Sequence, residues 1–215
     1  MRTLRWTTIM LVLGLLCAVS VQAQEIVGSD SSEELVGKAG EFKDGVFGVY
    51  ADRGGRGNHY IPSGWMGDYG DIKMDENCKN NPHSGTTCIR FDYSAKGKQG
   101  ANWAGVTWQN PPNNWGEKKG GFDIRGAKKL TFWARGEKGT ERIMEFKMGG
   151  VSGTYPDSDS NGIGPVDLTA EWQKYEIDLA DLDLSYVNGG FCWATNADSN
   201  PDGATFYIDD IQYEK

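Results

Sequence analysis

Histidine and cysteine are scarce in this chain, two and four among 215 residues. The histidines, His59 and His83, do not stand at metal-ligand spacing, and there is no CxxC or His-rich run, so a structural zinc site has no ligand set. Basic residues are outnumbered 22 to 30 by acidic ones. Nucleic acid and anionic membrane surfaces both need a basic footprint, so neither is expected as a partner. No long segment keeps a helical period, and 30 glycines argue against long helices. Past the N-terminus no apolar run approaches membrane-spanning length. Neither GxSxG, HExxH, a Walker loop nor a GxGxxG after a strand occurs, which leaves hydrolase elbows, zincins and nucleotide enzymes without support.

What is present begins with an export signature. Arg2 and Arg5 precede an apolar run from Thr7 to Val21, and Val21-Gln22-Ala23 offers small residues at −3 and −1. Residues 1–23 therefore read as a secretory signal peptide cleaved after Ala23. Lipidation at Cys17 is the alternative, opposed by Gly14-Leu15-Leu16 before it and by the apolar run continuing past it. Residues 24–40 are small, polar or acidic and read as an N-terminal leader; residues 41–215 read as one domain. In an oxidising compartment Cys78 and Cys88, which flank the turn-rich segment 79–87, are expected to form a disulfide. Cys192, in the run Gly190-Phe191-Cys192-Trp193-Ala194, reads as a buried thiol.

From residue 41 onward, short apolar segments alternate with Gly, Pro, Asn and Asp clusters, the pattern of an all-β sandwich or barrel. Strands are predicted at Val46–Tyr50, Thr87–Tyr93, Trp103–Trp108, Lys129–Arg135, Arg142–Met148, Gln173–Leu179, Phe191–Ala194 and Thr205–Tyr213. Lys129–Arg135 and Arg142–Met148, joined by Gly136-Glu137-Lys138-Gly139, read as a hairpin. In the last strand Phe206 and Ile208 share one parity while Ile211 and Tyr213 share the other. A bulge at Asp209-Asp210 would turn both pairs inward.

Leu130-Thr131-Phe132-Trp133-Ala134-Arg135-Gly136, Glu171-Trp172-Gln173-Lys174-Tyr175-Glu176-Ile177-Asp178-Leu179 and Thr205-Phe206-Tyr207-Ile208-Asp209-Asp210-Ile211 together resemble the galactose-binding-like β-sandwiches, the jelly rolls of many carbohydrate-binding modules and of CIA30-type domains. Pro82-His83-Ser84-Gly85 is similar to a turn that precedes an early strand in such modules. The resemblance covers about residues 40–215 and reports mainly the fold. It implies a structural calcium held by Asp209 or Asp210 with Asp44 or Asp52; a solvated edge carboxylate is the plainer alternative.

Several tryptophans lie in polar, turn-rich surroundings, which suits stacking on the C–H faces of sugar rings while neighbouring amides and carboxylates bond the hydroxyls. Trp65, Trp103, Trp108, Trp115 and Tyr155 are the candidate glycan-binding residues, with Trp115 stiffened by Pro111-Pro112. Asp157-Ser158-Asp159-Ser160-Asn161-Gly162 matches the opening of a calcium loop through Asp157, Asp159 and Asn161. Its twelfth position is Leu168 in place of Glu, and an acidic surface loop is the alternative. A glycosidase would need paired carboxylates, for which Asp68, Asp71, Asp92 and Glu145 are the candidates; a lyase could draw on His83, Tyr155 and Lys147. The expectation is a secreted jelly roll that binds a polysaccharide or oligosaccharide without catalysis. A glycan-active enzyme on the same fold and a structural or adhesive domain stand as alternatives.

Overall fold

Alternation along each strand decides which side chains fill the interior, and in the computed structural model it does so over the described residues, 35–215. The residues read as a signal peptide, Cys17 and most of the expected leader lie outside that range. Fifteen strands follow in chain order: β1 (Lys38–Ala39), β2 (Val46–Tyr50), β3 (Ile61–Gly67), β4 (Ile72–Cys78), β5 (Cys88–Tyr93), β6 (Trp103–Gln109), β7 (Phe122–Asp123), β8 (Lys129–Gly136), β9 (Arg142–Ile143), β10 (Glu145–Gly149), β11 (Ser160–Ile163), β12 (Val166–Asp167), β13 (Gln173–Asp178), β14 (Gly189–Asn196) and β15 (Ala204–Glu214). A single 3-10 turn, Tyr69–Asp71, precedes β4.

Two sheets carry the fold. One runs β11-β10-β14-β6-β3, and the other β13-β8-β15-β5-β4 with β2 beside the second half of β15. Their inner faces meet in one aromatic core. Trp108 and Trp193 come from the five-stranded sheet, and Phe91, Phe132 and Phe206 from the six-stranded one, all fully buried. Phe91 sits 4.8 Å from Trp193 and stacks on Phe206 at 5.3 Å, while Phe132 lies 5.0 Å from Phe191. These edge-to-face and offset contacts add to the area term that drives the sandwich together.

The predicted bulge is present. The register of β15 against β8 shifts between Asp209 and Gln212, and Asp210 takes a left-handed φ of 47°. Phe206, Ile208, Ile211 and Tyr213 are all buried as a result. The predicted hairpin is corrected. β8 pairs with β13 and β15, whereas β10 pairs with β11 and β14, so the 137–141 connection crosses from one sheet to the other. Met144 further interrupts the predicted strand between Ile143 and Phe146, which are both buried despite their opposite parity.

Candidate functional site

The outer face of the five-stranded sheet is lined by alternate residues of β6, β14, β3 and β10. Ala104, Val106 and Trp108 of β6 point into the core, so Trp103, Gly105, Thr107 and Gln109 point outward. Opposite them on β14 stand Ala194 and Cys192, and on β3 Met66 and Gly64. The middle of this face is tightly packed, with Thr107, Gln109 and Cys192 at most 5% exposed. A Cβ at Gly105 would come within 2.6 Å of the Trp193 carbonyl and 3.1 Å of the Met66 Cε, so the Met66 thioether lies directly over the backbone. Burial pushes the Cys192 thiol up to about 11, so it stays a neutral floor group. Glu145 and Lys147 of β10 pair at 3.4 Å along one side.

Trp103 stands at one end of this face and is 41% exposed. At the other end, two connections fold back over the sheet. The Gln109 side chain donates to the Asn114 carbonyl at 2.9 Å and accepts from Ser63 at 3.0 Å, which seats the 110–117 loop on the outer side. Asn114, fully buried, accepts from the Gly116 and Lys118 amides and so shapes the turn that presents Trp115, 39% exposed. The 150–157 loop packs beside it, with the Tyr155 amide donating to the Gly116 carbonyl at 2.9 Å. At about 3.3 Å per strand residue, β6 itself is about 20 Å long.

Two of the candidate aromatics belong elsewhere. Trp108 is fully buried between the sheets, 5.2 Å from Phe191, because its parity is opposite to that of Trp103. Trp65 is half-buried and packs on the core, since a register shift between Pro62 and Gly64 turns it to the side of Val106.

The candidate carboxylates do not converge. Glu145 lies on the outer face of the five-stranded sheet and Asp92 on the outer face of the six-stranded one, where it pairs with Arg90 at 2.8 Å. Asp68 is buried and accepts from the Ala101, Gln99 and Asn102 amides, which hold it below the usual carboxylate range. It anchors the 99–102 segment that leads into Trp103. His83, Tyr155 and Lys147, named for a lyase, are likewise divided, with His83 stacked on Trp133 of the six-stranded sheet at 3.7 Å.

Three of the acids implied as calcium ligands bond to the 83–87 segment. Asp52 accepts from the Thr86 and Thr87 amides at 2.8 and 2.7 Å, Asp209 from the His83 amide at 2.9 Å, and Asp210 from the His83 ring and the Ser84 hydroxyl. Asp44 is exposed at a turn. In the second motif, Asp157 turns inward to backbone amides, Asp159 accepts from the Ser160 amide, and Asn161 sits in β11 with its amide donating to the Asp178 carbonyl. Among the described residues no group of three or more His, Cys, Asp or Glu side chains is arranged to hold a metal. Cys78 and Cys88 face each other at directly paired positions of β4 and β5, at the base of the loop so held, and are free thiols here.

Burial, and then the charge of Asp210, raise Asp209 to about 7. A carboxyl whose folded value lies above its unfolded one is penalised in its charged form, so stability falls as pH rises from about 4 to about 7. With solvent screening allowed for, the effect is on the order of 2 kcal/mol. Glu214 has the opposite sign. Despite burial, bonds from Thr131, Gln212 and Lys174 hold it down to about 2, and its contribution is lost as pH falls from about 4.5 toward 2. Urea unfolding across this range is expected to show greatest stability near pH 4–5, with Asp209→Asn flattening the decline toward pH 7; an unchanged slope in that variant would contradict the assignment.

No family model and no curated protein matches this sequence. Among solved structures, the crystal structure of a family 30 carbohydrate-binding module superposes with a TM-score of 0.53 at 16% identity, over 79% of this chain and 87% of that one. The family 30 module of a cellulosomal cellulase from Clostridium thermocellum gives 0.52 at 17% identity, over 79% and 97%. At such identity the likeness establishes the fold, which is an all-β jelly-roll sandwich of the carbohydrate-binding-module type.

Proposed function

We propose that this domain is a secreted, non-catalytic carbohydrate-binding module that holds a neutral polysaccharide along the outer face of its five-stranded sheet. The observation that carries the reading is the pair of exposed tryptophans, Trp103 and Trp115, toward opposite ends of one face. Each ring offers a surface for the C–H face of a pyranose. Glu145, Lys147 and Tyr155 supply bonds to hydroxyls from the side. The Glu145–Lys147 pair brings no net charge to the face, which favours an uncharged polymer. The structural neighbours support the reading through their shared fold, and the N-terminal export signature agrees with an extracellular polymer as ligand. Native-gel electrophoresis in soluble neutral and anionic polysaccharides tests it. Retardation by at least one neutral glycan is expected, and unchanged mobility in all of them would sink the proposal.

Export also bears on the cysteines. In an oxidising compartment Cys78 and Cys88 close into a disulfide at the base of the 79–87 loop, contributing about 2–3 kcal/mol by restricting the unfolded chain. Material spanning residues 24–215 and isolated from such a compartment should titrate one thiol after unfolding, that of Cys192, and lose this stability on reduction. Three titratable thiols would show that the bridge does not form.

A further inference from the structure

Backbone amides of two separate segments converge on Asp157. Its carboxylate accepts from the Val151 amide at 2.8 Å, from the Asn188 amide and from the Gly189 amide at 3.1 Å. Val151 begins the loop that carries Tyr155, while Asn188 and Gly189 lead into β14, the strand that supplies Cys192 and Ala194 to the floor of the face. One side chain thus ties a loop to a strand of the rigid sheet. The next residue strengthens the tie, since the Ser158 hydroxyl donates to the Asp183 carbonyl at 2.6 Å.

The loop so anchored is the one against which Trp115 rests. Gly116 has φ +94°, and a Cβ there would lie 1.7 Å from the Ser152 carbonyl oxygen, so the two loops touch backbone to backbone with no room for a side chain. A Cβ at Gly153 would likewise meet the Trp115 carbonyl at 3.2 Å. With the Tyr155 amide on the Gly116 carbonyl, the height and tilt of Trp115 depend on where residues 151–155 sit. Asn188 joins the same system from below, its side-chain amide reaching the Asn114 carbonyl at 3.4 Å.

Resting on the reading of this face as a sugar platform, we infer that Asp157 is a positioning residue for the Trp115–Tyr155 end of it, acting through the 151–155 loop without touching the glycan. A carboxylate suits this place because three amide donors converge on it and an amide side chain would set its own N–H groups against them. Burial raises the Asp157 carboxyl, opposed by those same amides, consistent with a group held inside the structure.

A double-mutant cycle tests the inference, with affinity measured for whichever soluble neutral polysaccharide retards the wild type most. Asp157→Asn should weaken binding about tenfold with the protein still folded, and Trp115→Ala should weaken it more. Combining them should weaken binding by no more than about twofold beyond Trp115→Ala alone, because Asp157 contributes only through that ring and its neighbour. Asp159→Asn, two residues away, should bind like the wild type. Asp157→Ser, which keeps one oxygen acceptor, replaces Asp157→Asn if the latter does not fold. Losses that multiply in the double variant, or an Asp157 variant that binds like the wild type, would overturn the inference. If Trp115→Ala itself binds like the wild type, the platform reading fails first and takes this one with it.

Discussion

Trp108→Ala is expected to cost about 3–5 kcal/mol of stability, enough to unfold a substantial fraction of a marginal domain, whereas Trp108→Phe should cost far less and leave glycan binding intact. The magnitude follows from place. Trp108 is fully buried and packs edge-on against Phe91 at 6.0 Å and Phe191 at 5.2 Å, so truncation opens a cavity where the two sheets meet. Its indole N–H has no hydrogen-bond partner in the interior, so replacing the ring with phenylalanine sacrifices no bond. Chemical denaturation of the three proteins checks this. A Trp108→Phe variant with wild-type stability but lost glycan affinity would place Trp108 in the binding face after all.

Trp103→Ala and Trp115→Ala are expected to do the reverse. Each ring is about two-fifths exposed and carries little of the core, so stability should change by less than about 0.5 kcal/mol. Affinity should fall by about 2 kcal/mol for each, or about 30-fold, as for other aromatic anchors of a binding surface. The residues stand toward opposite ends of the face and share no partner, so the losses should add to about 1,000-fold in the double variant. Calorimetric titration with an oligosaccharide long enough to span the face measures all three. A double variant no weaker than either single one would mean that a chain never contacts both ends at once.

The contrast between Trp103 and Trp108 also shows what the amino-acid order made legible. Regular alternation placed β2, β5 and β8 within a residue of where they lie, and the parity conflict among Phe206, Ile208, Ile211 and Tyr213 located the β15 bulge. Alternation was equally informative within β6, but the polar residues after Trp108 drew attention to the turn that follows and away from the direction of the ring. β3 and β4 went unread for related reasons. Both are edge strands; β3 carries Pro62, Gly64 and a register shift, and β4 carries Lys73, Asp75 and Glu76, features that blunt an open sheet edge and blur its period.

Long-range pairing was less legible than parity. Strands β8 and β10 are close in sequence, which favours pairing, yet only the break at Met144 hints that the chain changes sheets. The acidic motifs were ambiguous for a chemical reason. An Asp at a turn can offer its oxygens to a cation or to backbone amides with the same local sequence, and Asp52, Asp157 and Asp209 all chose amides. Composition around a carboxylate reports that oxygen is available, and only the tertiary path of the chain decides what receives it.

The location of the glycan can be read from amide chemical-shift changes on addition of a bound oligosaccharide. Shifts are expected to concentrate at Gly105, Thr107, Lys147, Cys192 and Ala194, together with the Trp103 and Trp115 indole signals, while Arg90, Trp133 and Asp209 on the opposite sheet stay unmoved. Shifts confined to β5, β8 and β15 with a silent five-stranded sheet would contradict this location.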